Sequence, residues 1–180
     1  PNVVHLYDFG MLDDNTFFMV MELIQGETVI ERIQRESRLP PEDSVRIVRE
    51  AALGLWSAHK KGIIHRDVSP DNLILVRDES GIEITKVVDF GIAKPLHEDT
   101  GRFTMTNFFI GKPEYSSPEQ CGTLKDGENL DQRSDIYSLG VTFFQMLTGR
   151  LPFLASTPQG YLLKHANESQ KSPSNDFPHG

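Results

Sequence analysis

The sequence predicts an α+β protein, with strands concentrated early and in one central hairpin and a mainly helical remainder. Three observations carry this. Runs of branched and aromatic residues at 3–9, 16–21, 73–76 and 82–88 are bounded by glycine, asparagine and aspartate, as strands and their turns are. Longer runs at 41–61 and 134–147 repeat apolar residues at helical spacing. The stretch 92–110 is polar, threonine-rich and aperiodic, and reads as a long mobile loop.

In order, 3–9 reads as a strand, with Gly10 and Asp13-Asp14-Asn15 as turn material before an antiparallel partner at 16–21. A short connector follows, Glu22-Leu23-Ile24-Gln25-Gly26. Thr28 then caps a helix to about Arg35, with Val29, Ile30 and Ile33 on its apolar side. Pro40-Pro41-Glu42 opens a longer helix with proline early and acid in its first turn. Its apolar face is expected to hold Val45, Val48, Ala52, Leu55, Trp56 and His59, and Lys60-Lys61-Gly62 closes it. With no second metal-type residue nearby, His59 reads as a packed histidine rather than a ligand. Runs 73–76 and 82–88 form a hairpin around 77–81. Asp131 or Ser134 caps the next helix, whose Ile136, Leu139, Val141, Phe143, Phe144, Met146 and Leu147 make it apolar nearly all round, hence buried. It ends at 148–152, a further short helix spans 161–168, and the Ser/Pro/Asn-rich tail from 169 is expected to be poorly ordered.

Composition narrows the partners. Among 180 residues, 26 acidic against 18 basic side chains give a net charge of −8, which suggests neither a nucleic-acid nor an anionic-membrane surface. No apolar run approaches membrane-spanning length, and a lone Cys121 provides no disulfide framework and fits a reducing, cytoplasmic setting. It reads as a passive small side chain. The chain opens at Pro1 directly in an apolar run, as a fragment would.

The chemistry concentrates in His65-Arg66-Asp67-Val68-Ser69-Pro70-Asp71-Asn72, a polar loop held between apolar runs. Val87-Val88-Asp89-Phe90-Gly91 repeats the arrangement of strand, carboxylate and freed backbone. Two acids and an amide at strand ends suit a base and a metal site together. The hairpin brings its two open ends, and so these groups, into proximity.

These motifs resemble the catalytic core of the protein kinases, H-R-D-x-x-x-x-N followed by D-F-G, and the wording is most similar to the bacterial serine/threonine kinases of eukaryotic type. The resemblance runs in family order to about Glu168. It implies a partial kinase domain over 1–168, with 1–21 the end of the small lobe, 22–27 the hinge and 28–168 the large lobe. No glycine-rich phosphate loop or strand lysine is found within it, so the N-terminal part of the small lobe is expected to lie before Pro1.

The implied activity is transfer of the ATP γ-phosphoryl to a serine or threonine of a protein substrate, with Mg2+; alone, the chain is expected to be weak. Asp67 is the implied base, and Asn72 and Asp89 the metal-binding oxygens. His65 and Phe90 align the two loops. At the hinge, the carbonyl of Glu22 and the backbone of Ile24 meet the adenine edge, Met21 gates the deeper pocket and Ile74 forms its floor. Gly111 to Glu119 resembles the docking end of an activation segment, and Asp135 matches the aspartate that braces the catalytic loop. The arginine partner of Glu119 is expected beyond Phe153, and Arg150 is not assigned that role. Thr104 and Thr106 are the candidate phosphosites, with Arg66 a possible phosphate partner; alternatively, they only solubilise the loop. Two departures stand out. Ser69 occupies the place of the family's catalytic-loop lysine, and Lys112 that of its docking-segment threonine. An exchange of roles is expected, with the Lys112 ammonium turned toward Asp67; the alternative is a solvated lysine on a weakened enzyme. The rival readings are a pseudokinase, disfavoured by Asp67, Asn72 and Asp89, and a small-molecule phosphotransferase of kinase-like fold, disfavoured by the docking segment.

Overall fold

The computed structural model of the chain describes residues 1–78, 80–90, 111–124 and 129–169. Gly91, Thr104, Thr106, the loop expected at 92–110 and the tail from 170 onward lie outside the described residues.

Strands β1 (Leu6–Met11) and β2 (Phe17–Met21) pair antiparallel. β1 lies further along the chain than expected, because the backbone at 2–4 finds another partner. Val4 N–H donates to Val87 O at 3.0 Å and Val87 N–H to Asn2 O at 2.9 Å. Gly10 and Met11 therefore continue the strand rather than turning. The turn itself is compact: Asn15 takes φ 64° and its N–H donates to Leu12 O at 3.0 Å.

A strand absent from the sequence reading, β3 (Gly26–Thr28), adds to the edge of the central hairpin, giving the order β3-β4-β5 with β4 (Leu73–Arg77) and β5 (Glu83–Val87). Its three residues are too few to show a period of two, so they read as connector and cap. Thr28 serves both elements. It pairs with Ile74, and its hydroxyl accepts the Glu31 N–H while the Glu31 carboxylate accepts the Thr28 N–H, a reciprocal cap for α1 (Val29–Glu36).

The buried face of helix α2 (Pro41–His59) shares Leu55 with the expected one, and Val48 and Ala52 pack against the core, but it is rotated from that face. Ser44, Ile47, Glu50, Ala51, Gly54, Leu55 and Ala58 point inward, whereas Val45 and Trp56 are exposed. The buried stripe contains small and polar residues with specific partners, which hydrophobicity alone passes over. Ser44 Oγ donates to Pro40 O at 3.0 Å, and Glu50 Oε2 accepts the Thr85 N–H at 2.7 Å. Gly54 lies so close to the chain's start that a Cβ there would meet Asn2 O at 2.5 Å.

Helix α3 (Arg133–Thr148) is largely buried, although Ile136 is exposed. Asp131 Oδ1 accepts the Arg133 N–H at 2.8 Å at its start; Ser134 lies within the helix. Gly149, at φ 74°, ends it. Helix α4 (Pro158–Asn167) starts earlier than expected because Thr157 caps it through the Gly160 N–H and Pro158 occupies its first turn. The main core joins α1, α2, the hairpin and α3 through Val29, Ile47, Leu55, Leu73, Val87 and Met146, all fully buried. Among the described residues no helix is long and apolar enough to cross a membrane.

Candidate active site

The hairpin register sets the site. Leu73 pairs with Val87, so the residues just outside this rung, Asn72 and Val88, are also adjacent, and Val88 N–H donates to Asn72 O at 3.0 Å. Asp89 follows directly. The loop 65–72 is thereby tied to the strand that ends at Asp89.

Within the loop each backbone turn has a partner. Asn72 is buried, and its amide nitrogen donates to Asp67 O at 2.7 Å and Asp67 Oδ2 at 3.4 Å. That contact commits the NH2 branch and turns the oxygen branch of the carboxamide away from Asp67. Asp67 N–H donates to His65 Nδ1 at 3.2 Å, and His65 Nε2–H to Val88 O at 2.8 Å. Together these bonds specify the neutral Nε2–H tautomer. Burial agrees, since it lowers the His65 pKa by disfavouring the imidazolium. The His65 ring packs against Phe90 with centroids 4.6 Å apart.

Arg66 and Asp89 both take left-handed backbone, at φ 67° and 56°, which non-glycine residues rarely adopt. Strain of this kind persists only where surroundings over-determine it. Around Arg66 they do. The buried Asp135 carboxylate accepts the His65 and Arg66 N–H groups, each at 2.8 Å, and the His59 ring N–H at 2.7 Å. Gln120 Nε2 adds a bond to Arg66 O at 2.9 Å. His59 is therefore a packed histidine with a carboxylate partner.

Lys112 crosses into this loop. Its backbone N–H donates to Asp67 Oδ1 at 3.2 Å, while its ammonium meets Ser69 Oγ at 3.1 Å and Asp71 Oδ2 at 2.5 Å. Lys112 and Ser69 are thus in direct contact, and the ammonium is turned onto Ser69 and Asp71, farther along the loop from Asp67. Beyond Lys112, the Tyr115 hydroxyl donates to Gln145 Oε1 at 2.6 Å, and burial raises its pKa well above the usual phenol range. Glu119 Oε1 accepts from Ser134 Oγ at 2.7 Å. Cys121 is half-buried, its thiol pKa pushed up to about 12 by burial, so it stays protonated at neutral pH. Arg150 lies over the Phe144 ring at 6.0 Å.

At the connector, Glu22 N–H donates to His5 O at 2.9 Å, and its carboxylate accepts the His5 N–H at 2.8 Å. Lys86 Nζ reaches both Glu22 carboxylate oxygens at 2.6 Å, which holds that carboxyl below its ordinary pKa. Lys86 is the cross-strand partner of the half-buried Ile74. Met21 is exposed at the end of β2 and Ile24 is half-buried. The sequence reading did not pick out Lys86, Gln120, Gln145 or His165. Only alternation along β5 hinted at Lys86, and nothing local pointed to the other three.

Among the described residues no group of three or more His, Cys, Asp or Glu is arranged to hold a metal. The available set, one carboxylate and one carboxamide oxygen, fits a hard cation that completes its shell with phosphate and water rather than a closed protein cage.

The protein kinase domain family matches residues 1–178. The chain is 37% identical over 180 residues to serine/threonine-protein kinase pkn3 of Myxococcus xanthus, covering 99% of this chain and 32% of that protein. A probable serine/threonine-protein kinase of Clostridium perfringens is 41% identical over 175 residues, covering 97% and 24%. Serine/threonine-protein kinase PknB of Mycobacterium leprae is 36% identical over 177 residues, covering 97% and 27%. The chain thus spans about a quarter to a third of the length of the curated relatives it matches.

Proposed function

This chain belongs to the protein kinase family, and from that membership we propose that it carries the hinge and most of the large lobe of an enzyme that transfers the γ-phosphoryl of ATP to a serine or threonine hydroxyl of a protein. The family uses ATP with a divalent metal ion and acts on proteins; Mg2+ and the hydroxyl acceptor are the specific reading here. Residues 1–21 end the small lobe, 22–27 are the hinge and 28–168 belong to the large lobe.

The observation that carries the reading is the shared edge of loop 65–72 and Asp89, joined through Asn72 to both Asp67 and Val88. Asp67 receives the proton of the substrate hydroxyl as its oxygen bonds to phosphorus and the bond to the ADP oxygen breaks. Asn72 and Asp89 hold the metal, which supplies positive charge against the phosphates. The Glu22 carbonyl and Ile24 backbone pair with the adenine edge, with Met21 at the inner gate and Ile74 beneath. Lys112 supplies the cation that the catalytic loop lacks at Ser69, and Ser69 supplies the hydroxyl that steadies it. The support is their contact at 3.1 Å and the reach of a lysine acting as a point charge. Arg66 is exposed and receives a phosphate on Thr104 or Thr106.

The test separates base from metal ligand in the full-length parent protein. Asp67→Asn is nearly isosteric and should cut turnover by about 10^3-fold or more while leaving nucleotide affinity unchanged. Asp89→Ala should weaken Mg-ATP binding, read directly by calorimetry. Equal loss of ATP binding in both would refute this division of roles.

A further inference from the structure

His165 of α4 is a buried titratable group for which the proposed chemistry has no use, yet both of its ring nitrogens are engaged. Nε2 lies 2.9 Å from the main-chain oxygen of Glu114, and Nδ1 lies 2.9 Å from the Tyr137 hydroxyl. Because a carbonyl only accepts, Nε2 carries the proton and Nδ1 accepts from Tyr137. Phe153 and Tyr137 approach the ring edge-on, with centroids at 5.0 and 5.7 Å. Only 3% of the residue is exposed, and burial lowers its pKa, so the neutral form that this arrangement needs is the stable one. Surrounded by aromatic rings, the position would accept phenylalanine on packing grounds. The imidazole is set apart by a hydrogen bond to one particular carbonyl.

That carbonyl belongs to the turn Pro113–Tyr115, held at its other end by Lys112, whose N–H bonds Asp67. Tyr137 sits in the first turns of α3, two residues after Asp135, which holds the His65 and Arg66 amides. The contacts close into a ring: Asp67, Lys112, the turn, His165, Tyr137, α3, Asp135 and back to the loop bearing Asp67. With the Tyr115–Gln145 bond, His165 is a strut that sets the turn against α3 and α4, and so helps fix the distance of the docking segment from Asp67.

Resting on the kinase reading, we propose that His165 is a positioning residue for the protein substrate, holding segment 111–119 where a bound peptide presents its hydroxyl to Asp67. This bond acts beside the Tyr115–Gln145 and Glu119–Ser134 bonds, which also tie the segment to α3, and its own share is the seating of the peptide, read in the peptide KM. The nucleotide contacts proposed above, at the hinge and through Asn72 and Asp89, do not pass through it.

The experiment uses the full-length parent with His165→Phe, which keeps the ring, and His165→Gln, which keeps an N–H for Glu114. In His165→Phe the peptide KM should rise about tenfold, the worth of one buried hydrogen bond, with ATP KM and saturating kcat unchanged. His165→Gln should recover most of the loss. Independently of activity, hydrogen exchange at the Tyr115 and Ser116 amides should quicken in His165→Phe while the His65 and Arg66 amides stay protected. Unchanged exchange in the docking segment overturns the proposal. So does faster exchange with an unchanged peptide KM, or a matching rise in the ATP KM. A wild-type parent silent toward every peptide overturns the kinase reading and this role with it, whereas turnover without a His165 effect overturns only the latter.

Discussion

Lys112 brings two donors to one loop. Its ammonium touches Ser69 and Asp71, and its backbone N–H orients the Asp67 carboxylate. Replacing the side chain separates these functions, since every residue but proline keeps the N–H. On the proposed reading, Lys112→Thr in the full-length protein should therefore leave the Asp67 contact intact but lower kcat about a hundredfold, in the range for removing one preorganised charge partner. Adding Ser69→Lys should restore part of that rate by returning the cation from the other side. Steady-state kinetics decide this, and wild-type turnover in Lys112→Thr ends the idea of exchanged roles. Ser69 and Lys112 were readable as a pair in the sequence because each stands at a fixed distance from a motif. The partnership of Lys112 with Asp71 was not, because nothing in the spacing says which acid an ammonium will meet.

At the scale of elements, the three-stranded sheet and the two helices beside it are joined by a charged cluster. Arg32 of α1 forms two hydrogen bonds to the Glu83 carboxylate at 3.0 and 2.7 Å, and Arg46 of α2 forms another at 2.6 Å. Glu27 of β3 accepts from Arg32 and Arg35. Glu83→Gln keeps the shape but leaves two half-buried guanidinium groups short of charge, so it should cost about 2 kcal/mol at neutral pH. Hydrogen bonding from Arg32, then from Arg46, holds the Glu83 carboxyl below its ordinary pKa. A carboxylate shifted this way stabilises the fold above its unfolded pKa, near 4.3, and loses that contribution as pH falls through the lower folded value. The gap between wild type and Glu83→Gln in urea unfolding should thus be full at pH 6 to 7 and shrink below about pH 4. A gap independent of pH would count against the assignment.

Over the whole molecule, the two sheets differ in burial. Leu73, Leu75 and Val87 of the central sheet are buried, whereas β1–β2 exposes Tyr7, Phe9 and Phe17 at 64%, 72% and 80%. A two-stranded ribbon is marginal in water by itself, and an apolar surface of this kind favours association. The 180-residue chain should self-associate with rising concentration, seen by light scattering. Phe9→Ser with Phe17→Ser should suppress this without altering the Glu83 cluster. Equal scattering from both chains would place the sticky surface elsewhere, with the exposed Trp56 side of α2 the next candidate.

The α+β order, most helix ends and the run of residues proposed for the site were legible in the sequence alone. These are local properties. Proline, glycine and capping residues act within one turn, and His65 to Asn72 lie together along the chain. Tertiary structure decided the partners. Asp135 holds amides some 70 positions away, Lys86 pairs with Glu22 64 positions back, and His165 reaches Glu114 across 51. Periodicity reports which face is buried, and then only when that face is apolar. On α2 the inward face includes Ser44, Glu50 and Gly54, so the expected stripe shared Leu55 with the observed one but was rotated from it. A buried polar group must find a partner because desolvation without one is costly, but which partner is set by how helices and sheet pack.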